Sequence, residues 1–305
     1  MKINLAPGLL RFLFLLLVGS ASLVATSCKK DGPEFEDFSA RDESQIKDYL
    51  TSKNIVTAQR QASGLYFLPV RTNANAKKIT LGTTVSVLYT GHLLDAAGTV
   101  FDATSLHNNK PITFMVGAGN LIPGFEEGIS LMHIGDKAEL LLPSALAYGS
   151  NTVSGAIPAN SVVRFEVEVL DFAVIDDNLI TDYLLARNIT TAQKQASGLY
   201  FLPITTNANA VRPTTGSTVV VQYTGRLLDA AGTVFDASTP TTPLTFRFGN
   251  KQLIAGFEEG IGLMHKGDRA ELLIPSALAY GPQGSGTRIE PNTVLRFEVE
   301  LVDVR

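Results

Sequence analysis

The chain has 305 residues, a net charge of −4, 45% hydrophobic and 18% charged residues, no tryptophan and one cysteine. That is a folding composition with room for about two domains, each able to bury its own core. The acidic balance excludes the clustered basic footprint of a nucleic-acid binder, and a single cysteine excludes an intrachain disulfide.

Residues 1–27 read as a signal peptide. Lys2 and Arg11 flank and interrupt FLFLLLV (12–18), an apolar run too short to span a bilayer, and small residues follow. Cys28 directly after them resembles the lipobox of bacterial lipoproteins, in which the cysteine becomes the lipidated first residue; Ala25 departs from it, standing where leucine is usual. The resemblance implies lipid anchoring in a bacterial cell envelope, facing the periplasm or exposed at the surface. A plain signal peptide cleaved nearby is the alternative. Residues 28–43, charged and carrying Gly32 and Pro33, read as a solvated tether.

The rest is one unit written twice. ASGLYFLPV (62–70) returns as ASGLYFLPI (196–204), 134 residues on (198 − 64), and LLDAAGTVFDA (93–103) returns unchanged. LLLPSALAYG (140–149) returns as LLIPSALAYG (272–281), 132 residues on (280 − 148), so the first copy holds two extra residues between Asp102 and Gly124. The expected domains are 44–173 and 174–305. Each opens with a short helix, with Ile46, Tyr49 and Leu50, or Ile180, Tyr183 and Leu184, on one face, ending near Asn54 or Asn188. Strands follow: Val85, Val87 and Tyr89 at period two, then a hairpin closing around Gly98. IPGFEEGISLM (122–132), repeated as IAGFEEGIGLM (254–264), places Phe125, Ile129 and Met132 on one helical face. Glu126 and Glu127 lie in its first turn, and Gly135 stops it. A last strand alternates Val163, Phe165, Val167, Val169 with Arg164, Glu166, Glu168, as does 295–301, predicting a sheet with one dry and one wet face. The class is α+β.

The ordered set Tyr-Thr-Gly, Phe-Asp, Ile-Pro-Gly-Phe-Glu-Glu-Gly-Ile, Ala-Tyr-Gly, Ile-Pro and a closing Phe-x-Val-Glu-Val strand, present twice over 82–173 and 215–305, resembles the FKBP-type peptidyl-prolyl isomerases. The resemblance implies two tandem domains, each a curved antiparallel sheet wrapped on a short helix, with an apolar cup between them that takes a proline ring. In the first copy it assigns catalytic roles to Tyr89, Phe101, Asp102, Ile122, Phe125 and Tyr148, and substrate binding to Ile112, Phe114, Leu121, Ile157 and Phe165. In the second the counterparts are Tyr223, Phe235, Asp236, Ile254, Phe257 and Tyr280, with Leu244, Phe246, Leu253, Ile289 and Phe297. The Ile122 or Ile254 N–H and the Tyr148 or Tyr280 hydroxyl would hold substrate carbonyls, and Asp102 or Asp236 would lie near the rotating one. Phe125 and Phe257 take the floor where many members carry tryptophan.

Such chemistry requires no cofactor or metal. An X–Pro bond turns over in tens of seconds because amide resonance raises its barrier to about 18–20 kcal/mol, and a dry pocket disfavours the polar planar form. The implied partners are proline-containing polypeptides and, through Cys28, a membrane; the oligomeric state is left open. Glu126 and Glu127 are adjacent and so do not face each other as a carboxylate dyad, and the four histidines lack metal-ligand spacing. Three departures point to an alternative, a non-catalytic chaperone or scaffolding lipoprotein that binds extended chains: SLHNNK (105–110) and STPTT (238–242) lack the arginine many members pair with the aspartate, Ile112 and Leu244 replace an aromatic, and Glu290 stands where the first copy has Pro158.

Overall fold

The computed structural model describes residues 37–153 and 155–305. The expected signal peptide and Cys28 lie outside them, as does most of the tether. The chain divides into two compact units that part between Leu170 and Asp171.

The first unit runs α1 (Ser39–Ser52), β1 (Gln59–Arg60), β2 (Tyr66–Arg71), β3 (Thr84–Leu93), β4 (Val100–Ala103), β5 (Ile112–Met115), α2 (Pro123–Ser130), β6 (Lys137–Leu142) and β7 (Val163–Val169). The second repeats it as α3 (Phe172–Ala186), β8 (Gln193–Lys194), β9 (Tyr200–Thr205), β10 (Thr218–Leu227), β11 (Val234–Ala237), β12 (Leu244–Arg247), α4 (Ala255–Gly262), β13 (Arg269–Ile274) and β14 (Leu295–Val304). Each sheet is antiparallel, in the order β1-β2-β6-β7-β3-β4 with β5 also on β3, and likewise β8-β9-β13-β14-β10-β11 with β12 on β10.

Alternation decides which face is core. Val163, Phe165, Val167 and Val169 are buried under α2 with Val85, Val87, Tyr89, Leu140 and Leu142. On the opposite face Arg164 pairs with Glu139 at 3.0 Å and Glu166 at 2.9 Å, and Lys137 with Glu168 at 2.8 Å. That face is not wet throughout, as the alternation alone suggests. Its β2–β6 end carries a second small core in which Ile46 and Leu50 of α1 cover Tyr66, Leu68 and Leu141; Ile180 and Leu184 of α3 do the same over Tyr200, Leu202 and Leu273.

Two element ends differ from the sequence reading. Helix α1 begins at Ser39, inside the expected tether, because Asp42 is drawn inward: its Oδ2 accepts the Ser144 N–H at 2.8 Å and hydroxyl at 2.6 Å. Helix α2 ends at Ser130 rather than at Gly135, whose φ of 87° serves the turn into β6. Asn54 and Asn188 do stand at left-handed φ, 54° and 53°, just past their helices. Helix α3 starts at Phe172 because the Asp171 carboxylate accepts the N–H groups of Ala173 and Val174. Among the described residues no helix is long and apolar enough to cross a membrane.

Candidate functional site

The repeated Gly-Phe-Glu-Glu-Gly segment sets how closely α2 lies on the sheet. A Cβ on Gly128 would come within 2.5 Å of Leu140 Cδ1, and one on Gly124 within 2.7 Å of Leu142 Cδ2, so any larger residue would have to push those buried leucines aside. Phe125, between them, fills the space beneath β3 and β7. Its ring lies 5.2 Å from Phe165, 6.1 Å from Tyr89 and 6.1 Å from Phe114, mostly edge to face. Glu126 is no surface acid at a helix start. It folds back under the preceding loop and accepts the N–H groups of Gly117 (2.9 Å), Gly119 (3.4 Å) and Leu121 (3.1 Å), which fixes the segment delivering Leu121 and Ile122.

Above this base the expected residues converge. Gly91 of β3 stands between Asp102 of β4 and Phe165 of β7. Having no side chain, it lets the Phe101 ring cross to Phe165 at 5.6 Å, and Tyr148 meets Phe101 edge-on at 6.1 Å. Phe101, Asp102, Ile112 and Tyr148 keep part of their surface in solvent, whereas Phe114, Leu121, Ile122 and Ile157 are buried beside them. Phe125 and Phe165 have no exposed surface at all. Phe125, expected as the floor, lies fully covered against Tyr89, Phe114 and Phe165.

The polar groups gather around Asp102. Asp102 Oδ2 accepts the Tyr89 hydroxyl at 2.5 Å, and Oδ1 accepts the Ala103 N–H at 2.9 Å. Burial, then the Asp102 hydrogen bond and charge, push the Tyr89 phenol well above its usual range. Burial and the same charge raise that of Tyr148. Both stay neutral donors. The Tyr148 hydroxyl and the Ile122 N–H meet no acceptor among the described residues. Two donors thus stand unengaged at the edge of an apolar lining.

The second unit repeats the plan with a looser lip. Tyr223 donates to Asp236 at 2.6 Å, and Phe297 packs on Phe257 at 5.0 Å, on Phe235 at 5.5 Å and on Tyr223 at 5.9 Å. Phe246 and Ile289 are buried, but Tyr223, Leu244, Leu253 and Ile254 are each more than marginally exposed and Tyr280 is 37% exposed. Arg288, absent from the sequence-based site, donates to the Phe235 carbonyl at 3.0 Å and straps the loop after Tyr280 onto β11. The first unit has its own unforeseen member: His107 Nε2 lies 3.0 Å from Asp102 Oδ1, in the region where no arginine is available. Hollows of about 370 and 350 Å³ lie elsewhere in the first unit, beside the start of α1 and on the outer face of the sheet; neither is lined by Phe101, Tyr148 or Ile157. Among the described residues no group of His, Cys, Asp and Glu is placed to hold a metal. His133 and His265 are partly buried, each with Nδ1 3.3 Å from the aspartate three residues on.

Both units also resemble known proteins. The sequence pattern described as FKBP-type peptidyl-prolyl cis-trans isomerase matches residues 75–170 and 209–302, together more than half of the chain. Human peptidyl-prolyl cis-trans isomerase FKBP10 is 31% identical over 240 residues, 78% of this chain and 37% of that protein, so the chain spans little more than a third of its length. FK506-binding protein 2 of Candida glabrata is 42% identical over 122 residues, 39% of this chain and 88% of that protein. The crystal structure of a Pseudomonas syringae peptidyl-prolyl cis-trans isomerase is 30% identical and covers 44% of this chain and 92% of its own, with a TM-score of 0.38.

Proposed function

The chain belongs to the FKBP-type peptidyl-prolyl cis-trans isomerase family, and from that premise we propose that each unit accelerates rotation about X–Pro bonds in folding polypeptides. The observation that carries the reading is the pair of unengaged donors, the Ile122 N–H and the Tyr148 hydroxyl, at the edge of an apolar lining that also holds Asp102. A proline ring set against Phe101, Ile112 and Ile157 leaves water. The flanking carbonyls go to the two donors, and the twisted imide, which has lost its resonance and part of its polarity, is favoured over the planar one. Each ~1.4 kcal/mol gained this way is about tenfold in rate. No nucleophile or proton relay takes part.

The test is isomerisation of an X–Pro peptide by the full chain. Acceleration is expected, and Tyr148→Ala with Tyr280→Ala should remove most of it; no acceleration by a chain that is folded by circular dichroism would end the proposal. The smaller wall residues Ile112 and Leu244, where many members of the family carry an aromatic, favour a second reading in which extended chains are held without turnover. Suppression of aggregation that survives loss of both tyrosines would support that one. Export and lipid anchoring through Cys28 complete the proposal and are supported by the charged, apolar and small-residue succession of 1–28. Cys28→Ala should move the protein from the membrane to the soluble fraction; unchanged fractionation would refute the anchor.

A further inference from the structure

The two units part company at the wall beside the aspartate. In the first, Thr104–His107 form one 3₁₀ turn, closed by Asn108 and Asn109 at left-handed φ of 56° and 54°. This turn brings the His107 ring back against β4. The second unit is two residues shorter here, and Thr239–Thr242 close the gap with a backbone bridge and a hydroxyl contact of 2.5 Å. Asp102 therefore has three donors within reach: the Tyr89 hydroxyl, the Ala103 N–H and the His107 ring. Among the described residues Asp236 has two, the Tyr223 hydroxyl at 2.6 Å and the Ala237 N–H at 2.9 Å.

We propose that His107 is a positioning residue for Asp102, and that it gives turnover in the first unit a pH dependence that the second unit lacks. The proposal rests on the isomerase reading above. The neighbours leave His107 as the group able to switch. Tyr89 from β3 and Tyr148 from the loop after β6 face Asp102, and burial with the aspartate charge keeps both phenols protonated. Lys110 follows on the same loop, its N–H on the His107 carbonyl at 3.1 Å. Imidazole is the side chain that ordinarily changes charge between about pH 5 and 8. The His107 side chain is 38% exposed, so it exchanges protons with solvent without opening the unit.

Its two charge states hold the carboxylate differently. Protonated, the ring carries a proton on each nitrogen, and Nε2 donates a charge-assisted hydrogen bond to Oδ1. Neutral, it divides between two tautomers, one of which turns a lone pair toward Oδ1. Asp102 borders the lining on which the proline ring would sit. Tyr89 and the Ala103 N–H hold one oxygen each in either state, so the charged ring adds a third tether that narrows the geometry offered to a rotating carbonyl. The effect belongs to turnover rather than to binding, because His107 does not line the apolar surface.

The experiment uses the full chain in two backgrounds: Asp236→Ala with Tyr280→Phe, which leaves the first unit to act, and Asp102→Ala with Tyr148→Phe, which leaves the second. In the first, kcat for an X–Pro peptide should rise about three- to fivefold as pH falls from about 8 to about 5.5, with KM steady. His107→Gln should give a flat, low profile and His107→Arg a flat, high one, the latter being a rescue that a merely structural role would not produce. The second background should be flat. Parallel profiles in the two backgrounds, with His107→Gln indistinguishable from its parent, would overturn the proposal while leaving the isomerase reading intact. Absence of turnover in both backgrounds would instead bring down the isomerase reading and the role in turnover with it. An NMR titration of the His107 ring, read without any substrate, then judges the pairing: a midpoint that moves in Asp102→Asn upholds it, and an unmoved one refutes it.

Discussion

Replacing Ile175 with arginine is expected to stabilise the second unit, most strongly at neutral pH. Asp42 of α1 and Asp176 of α3 occupy the same place, each 1% exposed, and each accepts an N–H and a hydroxyl from one serine: Ser144 at 2.8 and 2.6 Å, Ser276 at 2.7 and 2.6 Å. Their other oxygens differ. Asp42 Oδ1 takes the Arg41 guanidinium at 2.6 and 3.0 Å, while Asp176 Oδ1 has no partner among the described residues, because Ile175 stands where Arg41 does. Burial pushes the Asp176 carboxyl above its ordinary range, and the Ser276 hydrogen bonds offset only part of the rise. A carboxyl whose folded value exceeds its unfolded value costs stability while ionised, and stability rises as pH falls through the folded value.

An unsatisfied buried acceptor costs about 1–3 kcal/mol. The Arg41 side chain is 40% exposed, so solvent screens its counterpart, and a net gain of about 1 kcal/mol is expected. For a unit of this size that is about 3–5 °C in Tm. Calorimetry of the full chain at pH 7 and about pH 4, with hydrogen exchange at α3 to assign the transition, measures it. The gain should shrink at the lower pH, where Asp176 begins to neutralise. A variant that melts at or below its parent at pH 7, or gains equally at both, would refute the account. Arg41→Ile should weaken the first unit alone.

Three further outcomes follow from the same geometry. Gly91→Ala places a Cβ 2.6 Å from the Phe101 ring and 2.9 Å from Phe165, so it should cost the first unit about 1–3 kcal/mol in urea melts and cut its turnover ten- to about a hundredfold by displacing Phe101; Gly225→Ala, 2.7 Å from Phe235, should do likewise in the second. Glu126→Ala removes the acceptor of three N–H groups and should destabilise its unit by about 2–3 kcal/mol, more than Glu258→Ala, which among the described residues loses one such bond, to Gly249. Equal costs would count against the loop-holding role. Arg288→Ala should speed amide exchange across 281–291 and leave the first unit unchanged, since the strap it breaks runs to the Phe235 carbonyl.

What the sequence discloses and what it hides divide along the range of the interactions. Period-two burial of Val163, Phe165, Val167 and Val169 and the helical face of Phe125 and Ile129 are local patterns, and they appear in the fold as read. The left-handed Asn54 and Asn188 are also local. Glu126 was readable as a helix-start acid, but its three acceptor contacts depend on a loop that doubles back, which spacing does not encode. Asp42 sits in a run of charged residues that reads as tether, and only the return of Ser144, about a hundred residues later, buries it. The signal that could have found it is the second copy: Asp176 keeps the carboxylate in the far more apolar FAVIDDNLITDYLLA, where a solvated tether has no place. His107 escaped notice because attention to a missing arginine passes over a shorter side chain in the same loop that also reaches the aspartate.

The comparison between copies also says where such a fold tolerates change. Residues that keep their identity across the duplication include Gly91, Gly124, Phe125, Gly128 and Phe165 with their counterparts, and each of these glycines abuts a side chain at a distance that a Cβ would violate. A change there moves the lining of the site and the core together. The loops that close the wall carry no such constraint, since the backbone satisfies itself through Asn108 and Asn109 in one unit and through the Thr239–Thr242 bridge in the other. Duplication therefore left the apolar lining shared and freed the polar rim to diverge, toward His107 on one side and Arg288 on the other.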